Sequence, residues 1–463
     1  MVFKETGNPK HPNSLFSTGN KHTLANIPRE VVKRWHREHY SSDRMHLVLY
    51  SSLSLDQLEQ LVTTAFSSIP NNEYFSPPIG QTVMSAEQLG SIIYLEPIQR
   101  KKQIGFTWEL PEELVNDNTH SAELLAYILK SRAPNSLFEY LQKDELIENI
   151  SANILRLSKN QALFQLDIYA TQKGINEISS LIKQTFAVLE SLQQSSIPQS
   201  LFQELKALTT LKYSYQHRTS AFTYVMKHAE DLLYEALSTY PERTVLASEY
   251  NPEQIDKLLS HLKLSNCLTM VIAPESLTGV TPTHREKWLG GRYSIDKLDL
   301  PPTSKSRVVA KNTGIPIDNS FLPKKLQLTT FDSDPLLHPC WDAKLLSRDK
   351  SGVLYFLQDK YYLTPKVACY FGIKMPTLNP SPYSHMLFDL LLISLEEELA
   401  PIMYQAKNAG IKLEAAVKDL QLQIIVQGYS DKIDELVISA FDTLTNISIS
   451  SEKFVHNKAV SYT

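Results

Sequence analysis

The sequence predicts an α+β protein of repeated domains, each a mixed, antiparallel-rich sheet covered by helices. A pattern of apolar strand, short polar turn and amphipathic helix recurs three times, at 46–66, 163–186 and 422–441. A chain of 463 residues is also too long for one hydrophobic core, which suggests two or three domains. Hydrophobic residues make up 42% of the chain and charged residues 21%, which is typical of a soluble globular protein.

The three repeats carry apolar residues at matching helical positions. Aligned on the last phenylalanine of each repeat, three sets coincide: Leu58, Ile178 and Ile433; Leu61, Leu181 and Leu436; and Val62, Ile182 and Val437. Residues at these offsets share one helical face, and the preceding strand is the expected partner that buries it. Since every α/β protein contains strand–helix units, domain duplication is favoured and a chance recurrence stays open.

The remaining elements follow in chain order. The segment 27–40 predicts a helix with Pro28 near its first turn, and 147–170 predicts a β-hairpin. Helices are expected over 200–240 and 252–263, followed by a strand at 267–274. The aperiodic, proline-containing stretch 290–325 is typical of an interdomain linker. After it, 352–375 predicts a strand pair with a turn near 359–360, and a long helix begins at Ser384.

Charge and composition exclude several classes of function. The net charge of −4 argues against general nucleic-acid binding. No apolar stretch approaches the roughly 18 residues needed to span a bilayer, so a membrane partner is not expected. The start has no apolar signal-peptide core, and three widely spaced cysteines suit a reducing compartment, so a cytoplasmic location is expected.

The histidine spacing excludes the motifs of zinc peptidases. Those motifs, HExxH and HxxEH, place two histidines four residues apart on one helical face with a glutamate as base. None of the 13 histidines has a partner at that spacing. His36 and His39 are three apart, which is more typical of a solvated helix face, and His11 and His22 are expected to be structural. The residues alone therefore indicate no catalytic residue and no metal site.

The stretch "TGNPKHPNSLFSTGNKHTL" (6–24) carries a family resemblance. It resembles the insulinase/pitrilysin family of inverzincin metallopeptidases, especially the insulin-degrading-enzyme branch. Further similar motifs follow in the family's order: "WHREHYSSDRMHLVL", "APNSLFEYLQ", "KWLGGRYS", "GIPIDNSFLP" and "LYFLQDKYYLTPKVACYFGI". The resemblance covers nearly the whole chain.

The resemblance implies four homologous domains, arranged as two bowl-shaped halves around a chamber where zinc-dependent peptide hydrolysis takes place. On that reading, residues 1–97 are the C-terminal part of the first peptidase-like domain and 98–290 are the second. Residues 291–330 are then the linker, and 331–463 the N-terminal part of the third domain. The family's HxxEH helix would lie upstream, so this chain would supply chamber wall and peptide-binding surface without zinc, and is expected to be inactive alone.

Two explanations for such a chain stay open. It can be the fragment of a split gene. Alternatively, it can be a non-catalytic peptide-binding or scaffold subunit, which pairs with a complementary chain that carries the zinc motif or the fourth domain. An internal fragment is favoured, because a domain normally folds as a whole.

The resemblance also implies a substrate site in the second domain, where a turn and a nearby edge strand anchor a peptide. The matching positions are Ser131, Arg132, Ala133, Asn135, Ser151 and Ala152. A peptide that adds to an open strand edge gains main-chain hydrogen bonds. The family usually has glycine at 133, 135, 151 and 152, and side chains there can narrow the approach of a peptide backbone. An ordinary turn and hairpin is the alternative interpretation.

Overall fold

The structure is a computed structural model, and it divides the chain into two compact units, Met1–Asp318 and Asn319–Thr463. It describes residues 1–73, 79–99, 101–216, 219–242, 244–247, 249–300, 309–326, 328, 343–358, 363–374, 381–418, 421–451 and 454. Both units combine antiparallel-rich sheets with helices, which confirms the predicted fold class. The domain boundaries at 97, 290 and 330 stay a prediction.

The strands form one large sheet in the first unit and two small ones in the second. In the described residues the sheets have the orders β3-β4-β2-β5-β1-β7-β6, β10-β12-β11 and β8-β9. The strands are β1 (Ser91–Leu95), β2 (Gln103–Glu109), β3 (Ile147–Arg156), β4 (Ala162–Ala170), β5 (Cys267–Ile272), β6 (His284–Arg285), β7 (Arg292–Lys297), β8 (Lys344–Arg348), β9 (Val353–Phe356), β10 (Lys366–Lys374), β11 (Lys412–Lys418) and β12 (Gln421–Tyr429).

The helices lie between these strands in sequence. They are α1 (Val2–Thr6), α2 (Lys21–Leu24), α3 (Arg29–His39), α4 (Leu55–Phe66), α5 (Glu112–Val115), α6 (Ser121–Leu129), α7 (Leu137–Gln142), α8 (Gln172–Asn176), α9 (Ile178–Gln194), α10 (Gln199–Ser214), α11 (Ala221–Asp231), α12 (Pro252–His261), α13 (Glu275–Thr278), α14 (Pro382–Asn408) and α15 (Ile433–Asn446). No helix among the described residues is long and apolar enough to cross a membrane.

One face of the large sheet carries the main core of the first unit. On β2, Ile104, Phe106 and Trp108 are fully buried on this face, as the two-residue period of a strand requires. Helix α9 packs its own buried stripe into the same core, from Leu181 to Leu192. The indole N–H of Trp108 donates to the Lys263 carbonyl at 3.0 Å, so the largest core side chain has its one polar atom satisfied.

Two strands beside the predicted boundaries belong to this sheet. Strand β1 pairs in parallel with β5 and antiparallel with β7. Val2, Met84 and Ile93 form a smaller core on the opposite face of the sheet. Residues 1–14 and 79–89, which the sequence assigns to the first domain, therefore include segments that pack on the same sheet as the second.

The first predicted repeat is only half correct. Its helix is present as α4, but 46–50 form no strand, and no backbone hydrogen bond within the described chain joins them to a neighbour. Leu47 and Leu49 are 47% and 43% exposed. A strand needs a hydrogen-bonded partner, and the described residues offer this segment none. The second and third repeats are confirmed, as β4 with α9 and as β12 with α15.

The predicted strand pair within 352–375 is also only partly correct. Both strands exist, but β9 pairs with β8, while β10 pairs with β12 over nine residues. The turn expected near 359–360 lies outside the described residues. In this unit Asp431 accepts the backbone N–H groups of Lys324 and Lys325 at 2.6 and 2.9 Å, which attaches the end of the linker to the start of α15.

Candidate peptide-binding edge

Strand β3 lies at one edge of the large sheet and pairs only with β4 among the described residues. The Ala170 N–H donates to the Lys102 carbonyl at 2.9 Å, so the backbone of Ala170 points towards β2. Successive residues of a strand point their backbone groups to alternate sides, so Leu166 also faces β2. Its partner across the ladder is Ala152, which must therefore direct its own N–H and C=O to the free edge.

The same alternation of backbone direction continues along β3. Ile150 and Ile154 also present backbone groups at the free edge, whereas Ser151 is hydrogen-bonded to β4 opposite Asp167. The Ile150 N–H is accepted by the Asn149 side-chain carbonyl at 2.8 Å. The edge therefore offers an incoming strand the backbone groups around Ala152, which is the geometry that the predicted site requires.

The predicted turn is built tightly and is partly buried. Ser131 and Ala133 are 7% and 4% exposed, and the Ala133 N–H donates to the Ser131 hydroxyl at 3.2 Å. Asn135 has φ +66°, in the left-handed region where glycine is otherwise favoured and asparagine is tolerated. Ser136 then caps α7 by accepting the Glu139 N–H at 3.2 Å.

The linker occupies this turn. The Asn135 amide donates to the carbonyls of Asn312 and Ile315 at 2.9 and 2.8 Å. In return, the Gly314 N–H donates to the Asn135 carbonyl at 2.9 Å, and the Ile317 N–H donates to the Pro134 carbonyl at 3.3 Å. The turn is therefore a docking point for 312–317 of the same chain rather than an open surface.

Arg132 connects the turn with the strand. Its guanidinium donates to the Asn149 side-chain carbonyl and lies 4.9 Å from the centre of the Phe138 ring. Of the six predicted residues, the structure thus brings Arg132 to the edge strand that holds Ser151 and Ala152. The sequence did not predict the contact of Asn149 with Arg132 or the docking of the linker. The one signal for the docking was Asn135, an asparagine where the family usually has glycine.

A polar cluster lies on the open face of the sheet beside this edge. Asp167 sits between Ser151 on β3 and Gly105 on β2. The Gln103 amide donates to Asp167 Oδ1 at 2.7 Å. Burial raises the pKa of the Asp167 carboxyl, while the Gln103 hydrogen bond and the Lys101 charge oppose that shift. Such a partly buried carboxylate was not singled out from the sequence.

Three of the histidines considered from the sequence have structural contacts, and the side chain of His22 lies outside those described. His11 is 3% exposed, accepts the Asn13 N–H at Nδ1, and therefore donates from Nε2 to the side-chain oxygen Oε1 of Gln161 at 3.0 Å. His36 stacks on Tyr40, and His39 donates from Nδ1 to the Trp35 carbonyl. The described residues contain no group of three His, Cys, Asp or Glu side chains that could hold a metal, so they do not fit a zinc site.

Two family profiles match the chain. The profile described as "Peptidase M16 inactive domain" matches residues 26–209, and "Middle or third domain of peptidase_M16" matches 213–460. Together the two profiles cover residues 26–209 and 213–460 of the chain.

Similar proteins include insulin-degrading enzymes and nardilysin. The human insulin-degrading enzyme is 24% identical over 98% of this chain and 45% of its own length. The Arabidopsis thaliana protein "Insulin-degrading enzyme-like 1, peroxisomal" is 23% identical over 98% and 47%. Human nardilysin is 24% identical over 97% and 40%. The chain thus spans about half the length of the curated relatives it matches.

A solved structure shows the same fold. The crystal structure of pitrilysin superposes with a TM-score of 0.80 at 21% identity, over 100% of this chain and 49% of that one. The match supports the predicted fold class of helices and antiparallel-rich sheets.

Proposed function

The chain belongs to the peptidase M16 family, the insulinase/pitrilysin family, and we propose that it holds peptide substrates at the free edge of β3 for a peptidase of this family. The observation that carries the proposal is that Ala152 and Ile154 direct backbone groups to an edge that no strand of the described residues covers, beside the partly buried turn 131–135. The substrate class is an extended oligopeptide, because main-chain pairing needs no particular side chains.

The affinity of such an edge is modest. Each main-chain hydrogen bond contributes about 0.5–1.5 kcal/mol net. Ala152 and Ile154, together with the Ile150 carbonyl, therefore support only weak binding, because the Ile150 N–H is already accepted by Asn149. Peptide binding in the high-micromolar range is therefore expected, and it should not depend on a chelator. The residues that the structure describes offer no zinc ligand set, so the family's metal chemistry would come from another segment or chain, and hydrolysis by this chain alone is not expected. A cytoplasmic location stays a prediction.

The first test modifies the peptide rather than the protein, because a substitution at a buried residue such as Ala152 can unfold the chain. Fluorescein-labelled unstructured 20-residue peptides are titrated against the full chain. Two peptides carry N-methyl groups at alternate positions, one at odd positions and one at even. When the peptide pairs as a strand, the N–H groups of every second peptide residue face β3. A shift of the peptide by one residue exchanges this set for the other. Either of these peptides can therefore bind with its free N–H groups facing β3 and should keep its affinity. A third peptide, methylated at every position, donates no main-chain hydrogen bond and should lose at least roughly tenfold in affinity.

A protein variant provides the second readout. Ala152→Pro removes an outward N–H, at the kind of edge position that tolerates proline, and should weaken the unmethylated peptide. Asn153 lies next to it with its backbone towards β4, and Asn153→Ala is the matched control that should bind normally. Equal binding by the fully methylated and unmethylated peptides would exclude strand addition, and cleavage by the chain alone would contradict the non-catalytic role.

A second role, pairing with a complementary chain, is supported by a different observation. Helices α3 and α4 have no buried residue, and Trp35, Leu55 and Leu61 are 51%, 83% and 54% exposed. Apolar helix faces of this kind mark a protein contact. We propose that they meet a peptidase M16 segment that carries the zinc motif. Co-purification with such a segment should be lost when Trp35 and Leu61 are both replaced by Ser, while Phe222→Ser, which changes another exposed side chain, should keep it.

A further inference from the structure

The second unit repeats the strand arrangement that leaves β3 at an edge. In the first unit, β4 pairs antiparallel with β3, its partner in a hairpin, and with β2, which comes earlier in the chain. In the second unit, β12 pairs antiparallel with its hairpin partner β11 and with the earlier strand β10. The orders β3-β4-β2 and β11-β12-β10 therefore correspond, and β11 takes the place of β3.

A pair of phenylalanines fixes this correspondence in the core. Phe186 ends the second repeat, and its ring packs edge-on against Phe106 of β2 with the ring centres 5.5 Å apart. Phe441 ends the third repeat, and its ring packs edge-on against Phe371 of β10 with the ring centres 5.0 Å apart. Two residues that the sequence aligns thus make the same contact with corresponding strands, which supports domain duplication over a chance recurrence of the pattern.

The backbone direction of β11 follows from its neighbour β12. The Ser430 N–H donates to the Pro365 carbonyl at 2.9 Å, so the backbone of Ser430 faces the β10 side. Successive strand residues alternate, so Ile425 faces β11, where its partner is Glu414. The residues of β11 that alternate with Glu414 therefore direct their N–H and C=O groups to the other side, where no strand of the described residues pairs with β11. They are Leu413, Ala415 and Val417.

The middle of this edge carries small or apolar side chains. Leu413 is 5% exposed, and Ala415 and Val417 are half-buried, on the face of the sheet where α14 packs against β11. Edge strands are often protected from pairing by charged side chains, especially lysine. Between Leu413 and Val417 the one charged residue is Glu414, whose carboxylate pairs with the Lys412 ammonium on the opposite face. No unpaired charge in this stretch therefore opposes an added strand.

We propose that the free edge of β11 is a second peptide-binding site, at which an extended oligopeptide pairs with the backbone groups of Leu413, Ala415 and Val417. The mode of binding is the one proposed for β3, main-chain pairing with little dependence on sequence. The inference extends the proposed function from one strand to two, and binding at β11 does not require binding at β3. One chain then holds two extended peptide segments, one in each unit.

Hydrogen exchange tests this site separately from the first. The unmethylated peptide is added to the full chain at about ten times its Kd, and amide exchange is measured at both edges. A hydrogen bond to the peptide protects an amide while the peptide is bound, so exchange of the Leu413, Ala415 and Val417 amides should slow about tenfold. The Ala152 and Ile154 amides report on β3 in the same sample. The fully methylated peptide should slow exchange at neither edge.

Three variants separate the two edges. Ala415→Pro removes one outward N–H at an edge position, where proline is tolerated, and should abolish the slowing at Leu413 and Val417. Ala416→Ser is the matched control, because the backbone of Ala416 faces β12 and its side chain is exposed, and it should leave the slowing unchanged. Ala152→Pro should weaken binding at β3 and leave the slowing at β11 intact.

Each outcome decides between the two sites. Slowing at β11 that persists in Ala152→Pro supports this site. Slowing at β3 alone refutes it and leaves the proposed function standing, and loss of the slowing at β11 in Ala152→Pro refutes it as well, because the effect then comes from binding at β3. Slowing at β11 that survives in Ala415→Pro, or that the methylated peptide also produces, rules out strand pairing there. No slowing at either edge refutes both sites, whereas slowing at β11 alone upholds this site and refutes binding at β3.

Discussion

Replacing Asn135 by glycine tests whether the linker closes the predicted turn. The change removes two hydrogen bonds, to the carbonyls of Asn312 and Ile315, and keeps the left-handed backbone without strain. Each bond contributes about 0.5–1.5 kcal/mol, and the exposure of Asn135 favours the lower half of that range. We therefore expect the docked linker to lose roughly 1–2 kcal/mol, which raises its opening equilibrium about 5–30-fold.

Hydrogen exchange measures this opening directly. The amides of Gly314 and Ile317 are bonded to the turn, and their exchange should accelerate by that factor in Asn135→Gly. Amides in the middle of α9 are the internal control and should not change. Asn135→Ala loses the same bonds and adds about 1–2 kcal/mol of left-handed strain, so it should accelerate exchange further. Unchanged exchange at both amides would refute the docking of the linker, and equal rates in the two variants would refute the strain.

Three further predictions concern packing, acid and metal. Gly174→Ala should destabilise the chain by about 3 kcal/mol, measured by urea unfolding, because the added Cβ would lie 2.0 Å from the Leu146 carbonyl oxygen. Gly80→Ala is the control and should not shift the urea midpoint, because a Cβ at Gly80 would have no atom within 4 Å. Backbone hydrogen bonds from 324–325 lower the pKa of Asp431, so the stability they confer is present above about pH 4 and lost as the pH falls through the folded-state pKa. The protection factors of those two amides, which correct for the intrinsic pH dependence of exchange, should therefore fall in acid and should be low at every pH in Asp431→Ala. Metal analysis after gel filtration should find well below one zinc per chain. One tightly bound zinc per chain would contradict the expectation that this chain has no zinc site.

Local patterns predicted the elements of this fold better than their partners. The hairpin of β3 and β4 was predicted because its strands are neighbours in the chain and alternate on one face. The partner of β10 was not, because β12 comes after a long helix and nothing local specifies the pairing. The segment 46–50 has the apolar composition of a strand, yet a strand also requires a neighbour that the described residues do not supply.

The candidate site shows the same division. The hairpin pattern places Ser151 and Ala152 on a strand, and the family resemblance suggested that this strand lies at an edge, while their role in peptide binding stays a prediction. The closed state of the turn depends on Asn135 meeting 312–317, a contact between segments far apart in the chain. Asp167 and Gln103 were missed because a single acid in an alternating strand is usually solvated, and only the sheet brings them together.

The order of the strands has a consequence for how the chain is made. Strand β5 lies between β1 and β2, although these two are consecutive and β5 is translated far later. Until residues 267–272 leave the ribosome, β1 and β2 each keep an inner edge unpaired, with a gap between them one strand wide. Closing that gap joins distant parts of the chain, which is a slow step. A nascent chain of this protein is thus expected to remain dependent on chaperones until β5 inserts.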